Sequence, residues 1–392
     1  MKPIRDMRYR ILIVSYSMGI GGVERALLGL LRNIDYSTCN VTLKLANKRG
    51  ELLSNIPMQV KVSEIVSIKK NWTLFNKPLL PQIRRLFCRN LLMGLMLLAD
   101  FVKYKITGHY HSLFRHTLEK DREEYDLAIS YAGPSSLLDY YVAHCVNARK
   151  KVIWIHFDVD RCGINRNSER FLYRKFDKIF IVSDEGKRKF DRMFPKESGK
   201  SAVFHNIIDT QEIKRLSEVY LPDLKQDCIN IVTVGRISKE KGQDLAVKAL
   251  SVLVNNGYNV NWILVGAGNY EIEVKKIAEY LNVSHLINIT GAKANPYPYM
   301  KGCDIYVQPS KHEGFCITLA EAKLFGMPIV VTDFTGAREQ LANYSNSFIA
   351  NHNADCIAKY IEQIINKKLF KEKHPSETGV SDFYKFESSL FG

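Results

Sequence analysis

Nowhere in the 392 residues is there an uninterrupted apolar run of about twenty, so the sequence offers no membrane-spanning helix. The eight cysteines contain no C-x-x-C pair, and none stands beside histidines at zinc spacing. In a chain this long, that pattern suggests reduced, mostly buried thiols in a cytosolic setting. Low-complexity tracts are missing, which confines expected disorder to the two ends, and no internal repeat of fixed period occurs. A secretory leader is not expected either. The opening MKPIRDMRYRILIVSYSMG begins basic, but its apolar core ILIV is too short and runs straight into a glycine turn. It reads as a first β-strand.

What is present describes a globular chain, 46% hydrophobic and 25% charged, too long for one hydrophobic core and so divided into two domains. The net charge of +15 favours anionic partners: nucleic acid, an acidic membrane face, or phosphorylated small molecules. Between Lys61 and Lys120 eleven Lys/Arg stand against three Asp/Glu. The same window holds LLPQIRRLFCRNLLMGLMLLADFVKYK, where Arg84, Arg85, Arg89, Lys103 and Lys105 flank apolar helix faces. Within residues 79–107 that mixture suits an interfacial segment on anionic lipid, though a buried core helix with basic caps has the same composition. Basic residues are not interleaved with aromatics in an RNA-binding pattern, so nucleic acid is not expected as a partner.

Strand-like and helix-like segments alternate along the chain, as in layered α/β proteins with parallel sheets. RILIVSYS, VTLKLAN, DLAISYA, KVIWIHF and KIFIVSD form one series of strands; INIVTVG, NWILVGAG, LINITG, DIYVQPS and PIVVTD form a second. The polar stretch HNIIDTQEIKRLSEVYLPDLKQD separates them. The expectation is two Rossmann-like domains facing each other across a cleft: residues 1–205, a linker over 206–227, residues 228–375, and a tail over 376–392 that packs back on the first domain. Ligands of such sheets bind outside the carboxyl ends of strands.

Three strand-to-helix junctions carry candidate binding residues. In SMGIGGVER, Gly21 and Gly22 precede a helix and permit close approach of phosphate to its N-terminus; a simple tight turn is the alternative. VTLKLAN ends in Asn47, followed by Lys48 and Arg49, so the carboxylate of an NAD site is missing. In TVGRISKEKGQD, Arg236 and Lys241 follow a strand end and suit adjacent phosphates, Arg as a fork and Lys as a point charge, or else a solvated loop. The third junction is QPSKHEGFCITLAEA. There Thr318 reads as a helix N-cap and Glu321 completes a T-x-x-E capping box, whereas Glu313 precedes the cap in an irregular loop and has no such structural explanation. Backbone N–H groups of Phe315, Cys316 and Ile317 follow it. A carboxylate that accepts from hydroxyls beside a phosphate-binding helix start describes a site for a sugar carried on a diphosphate.

With Glu313 and Glu321 as an E-x7-E pair, G-R-x4-K-G at 235–242 and NPYPYM-x3-D at 295–304 in order, the chain resembles the retaining GT-B glycosyltransferases that use nucleotide sugars, including bacterial surface-polysaccharide enzymes. The resemblance spans nearly the whole chain and is strongest from Ile229 to Glu339. It implies that Glu313 and Gly314, with the backbone around Phe315 and Cys316, hold the transferred sugar, and that Glu321 holds the ribose. Arg236 and Lys241 would neutralise the diphosphate, with backbone N–H groups of Gly22, Thr318 and Leu319 adding donors and Gly21 and Ile317 also lining the donor site. Ala292 and Lys293 would meet the base, and His156 of WIHFD would stand near sugar and acceptor; on its own a strand-end histidine is as readily a packed core residue. No cofactor or metal is implied.

Asp158 and Asp160 spell the D-x-D of metal-dependent transferases, but three-residue patterns arise by chance, and an acceptor-side or structural role is expected; His312 has no assigned role. The expected function is hexosyl transfer from an NDP-sugar, UDP ahead of GDP, to a polyprenyl-linked saccharide, by an enzyme resting on the cytoplasmic face of an anionic membrane. A soluble acceptor and a nucleotide-sugar epimerase are the alternatives.

Overall fold

The computed structural model describes residues 8–65, 91–107, 118–134, 136–161 and 164–369. The tail 376–392 and the basic residues Arg84, Arg85 and Arg89 lie outside the described residues. Two compact units emerge. The first comprises Met1–Gly19, Leu31–Val182 and Gly186–Phe204; the second comprises Ile20–Leu30, Ser183–Glu185 and His205–Gly392.

The first unit is built on strands β1 (Tyr9–Ser15), β2 (Cys39–Leu45), β3 (Lys61–Glu64), β4 (Glu124–Gly133), β5 (Asn147–Ile155), β6 (Lys178–Ile181) and β7 (Ser201–Val203). They run parallel in the order β3-β2-β1-β4-β5-β6-β7. Helices of this part of the chain are α1 (Gly22–Asn33), α2 (Leu91–Thr107), α3 (Leu137–Cys145), α4 (Arg166–Tyr173) and α5 (Asp184–Met193). Residues of α1 through Leu30 group with the second unit. Trp154, Tyr131, Tyr173, Phe176 and Phe180 are fully buried in the core. Helix α2 differs: Leu91, Leu92, Leu95, Met96, Leu98, Val102 and Ile106 are all exposed. Among the described residues no helix is long and apolar enough to cross a membrane.

In the second unit, β8 (Ile229–Val234), β9 (Val260–Val265), β10 (Ile287–Gly291), β11 (Ile305–Gln308), β12 (Ile329–Thr332) and β13 (Ser347–Ala350) form a parallel sheet ordered β10-β9-β8-β11-β12-β13. Its helices are α6 (Thr210–Leu216), α7 (Gln243–Asn255), α8 (Glu271–Tyr280), α9 (Tyr297–Gly302), α10 (Ile317–Lys323), α11 (Ala337–Leu341) and α12 (Ala354–Asn366). Alternate strand residues enter two different cores. Ile231, Trp262, Leu264, Ile305 and Val330 pack with α7 and α12, while Val232, Ile263, Tyr306, Ile329 and Val331 pack with α10. Burial on both faces is why these strands read as continuous apolar runs, each fully buried side chain contributing roughly 1.5–3 kcal/mol.

The strand order reverses between β8 and β11, which pair directly, with Ile305 opposite Ile231. Loops leaving the carboxyl ends of these two strands therefore emerge side by side, the usual place for a ligand in an open α/β sheet. All ten segments expected as strands are strands. Those not foreseen, β3, β7 and β13, are all edge strands of three or four residues, too short to show a strand pattern, and of their residues only Ala350 is fully buried.

Candidate active site

Beyond β8 the chain turns at Gly235, leaves Arg236 exposed and buries Ile237 completely. Gln243, the first residue of α7, staples this loop: its Nε2 donates to the Arg236 carbonyl at 3.0 Å and its Oε1 accepts from Ser238 N–H at 3.4 Å. Gly242 takes a left-handed φ of +71°, and a Cβ there would stand 2.0 Å from the Pro309 carbonyl oxygen. Only glycine lets the β8 loop lie this close to the loop after β11.

That approach brings Lys241 to Glu313. The Lys241 ammonium donates to both Glu313 carboxylate oxygens at 2.7 Å, and Glu313 retains only 8% side-chain exposure. A polar chain supports the carboxylate from behind. Ser310 Oγ donates to Glu313 Oε1 at 2.8 Å, Gln308 Nε2 donates to Ser310 Oγ at 2.8 Å, and the Tyr306 hydroxyl donates to Gln308 Oε1 at 2.5 Å. Burial pulls the Lys241 pKa down, but the adjacent Glu313 outweighs it and leaves the ammonium above its ordinary value. Lys241 is thus a held cation at neutral pH.

The capping arrangement expected at Thr318 is not formed. Helix α10 begins two residues earlier, its N-cap position taken by Cys316, which occupies the left-handed region at φ 64° and supplies no side-chain cap. Thr318 is already inside the helix, its hydroxyl 3.5 Å from Gln308 Oε1. Glu321, two residues beyond the position a capping box would need, points into the interior with 2% exposure. Its Oε1 accepts from the Tyr297 hydroxyl at 2.8 Å, and Arg25 Nη1 lies 3.9 Å away. Oε2 is buried and has no hydrogen-bond partner among the described residues. Burial raises the Glu321 pKa, with Arg25 and then Tyr297 opposing the rise.

Gly22 opens α1 with its Cβ direction 3.5 Å from Ile317 Cδ1, so the starts of α1 and α10 meet, and Gly21 precedes them. Ala292 is exposed and Lys293 half-buried in the loop after β10; Arg25 Nη2 donates to Ala294 O of the same loop at 2.8 Å. Arg236, Lys241, Glu313, Glu321, Gly21, Gly22, Ala292, Lys293 and residues 314–319 all belong to the second unit.

His156 belongs to the first unit. It follows β5 directly, donates its N–H to Gly133 O at 3.3 Å and is 6% exposed, its ring 4.4 Å from that of Tyr131. Asp158 is engaged structurally: Oδ1 accepts from Asp160 N–H at 3.0 Å and Oδ2 accepts from Lys189 at 2.8 Å. This closes a turn and neutralises one D-x-D carboxylate. His312 is exposed.

Sequence reasoning missed several contributors. Arg25 and Tyr297 reach Glu321 from distant positions, and Ser310 and Gln308 are visible only once β11 is known to end beside Glu313. Another cluster joins Asp184, His205 and Glu339 within 4.8 Å. There Glu339 accepts from His205 Nε2 at 2.7 Å and from Asp184 N–H at 2.9 Å. Burial raises the Glu339 pKa, but His205 and the two backbone donors bring it below the ordinary value.

Residues 222–379 match the family described as glycosyl transferases group 1. The chain is 29% identical over 161 residues to the capsular polysaccharide biosynthesis glycosyltransferase CapM of Staphylococcus aureus, covering 40% of this chain and 42% of that protein. It is 27% identical over 233 residues to the N,N'-diacetylbacillosaminyl-diphospho-undecaprenol alpha-1,3-N-acetylgalactosaminyltransferase of Campylobacter jejuni, covering 55% and 60%. The chain thus spans about half the length of the curated relatives it matches. The crystal structure of HepE from Anabaena in complex with UDP and glucose aligns with a TM-score of 0.64 at 17% identity, over 92% of this chain and 91% of that one, which shows a shared fold.

Proposed function

We propose that the protein, whose residues 222–379 match the glycosyl transferases group 1 family and whose fold is shared with HepE, transfers a hexosyl unit from an NDP-sugar, with retention of configuration, to a hydroxyl of a lipid-linked saccharide. The observation that carries this reading is the carboxylate pair at the β8/β11 switch point: Glu313 held by Lys241, and Glu321 buried with one oxygen open. In the proposed complex Glu313 accepts from sugar hydroxyls, with Gly314 and the Phe315 and Cys316 backbone beside it, and Glu321 Oε2 accepts from the ribose. Arg236 and Lys241 take up the charge that the departing diphosphate gathers, assisted by backbone donors near Gly21, Gly22, Ile317, Thr318 and Leu319. Ala292 and Lys293 face the base. His156 is assigned to the acceptor side of the reaction.

Preorganised donors aimed at developing charge are worth roughly 3–4 kcal/mol each in transition-state stabilisation. This reading gives that work to two side-chain cations and needs no metal. Acceptor deprotonation falls to the leaving phosphate itself in a front-face attack. UDP is favoured over GDP as the nucleotide because HepE, of the same fold, is held with UDP. The test is a thermal-shift screen of UDP-, GDP- and ADP-sugars, since a ligand of the native state raises its stability by mass action. The best stabiliser is then assayed for transfer and for the anomeric configuration of the product. An epimerised donor in the absence of acceptor would replace this reading with the epimerase.

A lipid-linked acceptor is supported by the diphospho-undecaprenol substrate in the name of the Campylobacter relative and by the exposed leucines of α2, on which Lys103 is also exposed. Leu91 and Leu92 are about two-thirds exposed, a large apolar surface for a soluble face and suited to an acyl boundary at the cytoplasmic side of a membrane. The protein is expected to co-sediment with vesicles containing anionic lipid and far less with neutral ones. Replacing Leu92 and Leu95 by serine should weaken that binding about tenfold or more, as burial of each leucine contributes roughly 1.5–3 kcal/mol. Equal sedimentation of the variant would remove α2 from the membrane account and leave a soluble acceptor.

A further inference from the structure

Helix α1 carries an arginine in its opening turn, where the positive end of the helix dipole disfavours a cation. A residue placed against that field needs a partner elsewhere, and Arg25 has three. Nη1 donates to the Tyr297 hydroxyl at 2.5 Å, Nη2 donates to Ala294 O at 2.8 Å, and Nη1 lies 3.9 Å from Glu321 Oε1. The guanidinium carbon is also 5.1 Å from the centre of the Tyr297 ring. Tyr297 in turn accepts from Arg25 and donates its single hydroxyl proton to Glu321 Oε1 at 2.8 Å. Donors and acceptors are matched along this chain of three residues, all in the second unit.

The carboxylate at the end of it is asymmetric. Oε1 has a phenol proton and a nearby guanidinium; Oε2, in a side chain with 2% exposure, has no hydrogen-bond partner among the described residues. A buried carboxylate oxygen without a donor is costly in an isolated protein, and native folds seldom keep one without use for it. One oxygen is therefore satisfied, and the other meets no donor from the described residues.

We propose that Arg25 and Tyr297 are positioning residues for the nucleotide: by occupying Oε1 they lock the Glu321 carboxylate so that Oε2 alone meets the vicinal ribose hydroxyls of a nucleoside diphosphate. This rests on the reading above that gives Glu321 to the ribose. Arg25 adds a second link. Its bond to Ala294 O ties the ribose carboxylate to the loop that holds Ala292 and Lys293, so base and ribose contacts are set by one side chain.

The test is a cycle between side chain and ligand hydroxyls, read by calorimetric titration. Whichever of UDP, GDP and ADP binds the wild-type protein best is compared with its 2',3'-dideoxy counterpart. Wild type is expected to bind the dideoxy nucleotide about thirtyfold more weakly. Tyr297→Phe keeps the ring and removes the hydroxyl; it should weaken the ribonucleotide about tenfold and leave the dideoxy nucleotide within about twofold of wild type. Arg25→Gln should do the same and serves if Tyr297→Phe does not fold. With a sugar nucleotide as donor, both variants should raise KM and leave kcat within a few-fold. Variants that weaken both nucleotides equally, or retain the full wild-type discrimination, would show a structural role and overturn the proposal while leaving Glu321 as the ribose acceptor. A wild-type protein that binds no nucleotide, or does not distinguish the two, would overturn the donor reading and this inference together.

Discussion

Arg236→Ala is expected to lower kcat/KM a hundred- to thousandfold and to leave Tm unchanged. Arg236 is exposed at the carboxyl end of β8, and the nearby loop is held by Gln243 through the backbone of Arg236, not its side chain. Removing the guanidinium therefore takes away charge stabilisation of the leaving diphosphate, roughly 3 kcal/mol for one well-placed donor, and little else. Lys241→Ala must behave differently. Its ammonium neutralises the almost buried Glu313, and deleting one partner of such a pair leaves an uncompensated charge that costs about 3–5 kcal/mol of stability. Loss of activity should here come with a marked fall in Tm. Adding Glu313→Gln to Lys241→Ala should restore much of the Tm and none of the activity. Both readouts are obtained from steady-state kinetics beside thermal denaturation. An Arg236→Ala enzyme with near-normal turnover would remove the cationic account of catalysis.

Glu313→Gln is expected to lower kcat about a thousandfold while nucleotide binding becomes several-fold tighter. In the protein without ligand both carboxylate oxygens accept from Lys241. A diphosphate must compete with that carboxylate for the same ammonium. The amide keeps the shape and the bond from Ser310 but gives up the charge, so Lys241 turns to phosphate at lower cost. The sugar, by contrast, loses an anionic acceptor for its hydroxyls, and charge-assisted hydrogen bonds are roughly twice as strong as neutral ones. Titration of UDP into the variant, set beside single-turnover transfer, separates the two effects. Weaker UDP binding with unchanged kcat would assign Glu313 to the nucleotide and not to the sugar.

Much of this arrangement is legible in the sequence, for a physical reason. Strands buried on both faces must be apolar throughout, so INIVTVG, NWILVGAG and PIVVTD announce themselves; the carboxyl end of INIVTVG locates Arg236, and that of DIYVQPS locates the 309–316 loop. The edges β3, β7 and β13 bury too little to leave such a mark. Thr318 and Glu321 mislead because T-x-x-E is the pattern of a capping box wherever it falls. Whether the box forms depends on where the helix begins, and here a left-handed Cys316 moves that start upstream. Pairing is the least visible property. Lys241 and Glu313 read as separate loop residues until β8 and β11 are known to be neighbours at the point of strand reversal. Arg25 did leave a signal, a cation in the first turn of a helix against its dipole, but its partner stands 272 positions away in Tyr297. The D-x-D at Asp158 shows the opposite case, a pattern with a chemical meaning elsewhere that is consumed here by Lys189 and a backbone N–H.

The central claim is that the carboxylates and cations at the β8/β11 switch point receive a sugar joined through two phosphates to a nucleoside. A crystal structure of the protein with bound UDP-sugar tests it most directly. The account predicts ribose oxygens within hydrogen-bond distance of Glu321 Oε2, phosphate oxygens at Lys241 and Arg236, and sugar hydroxyls at Glu313. Electron density for the nucleotide at any other place on the second unit, with Glu321 Oε2 still unpartnered, would contradict it.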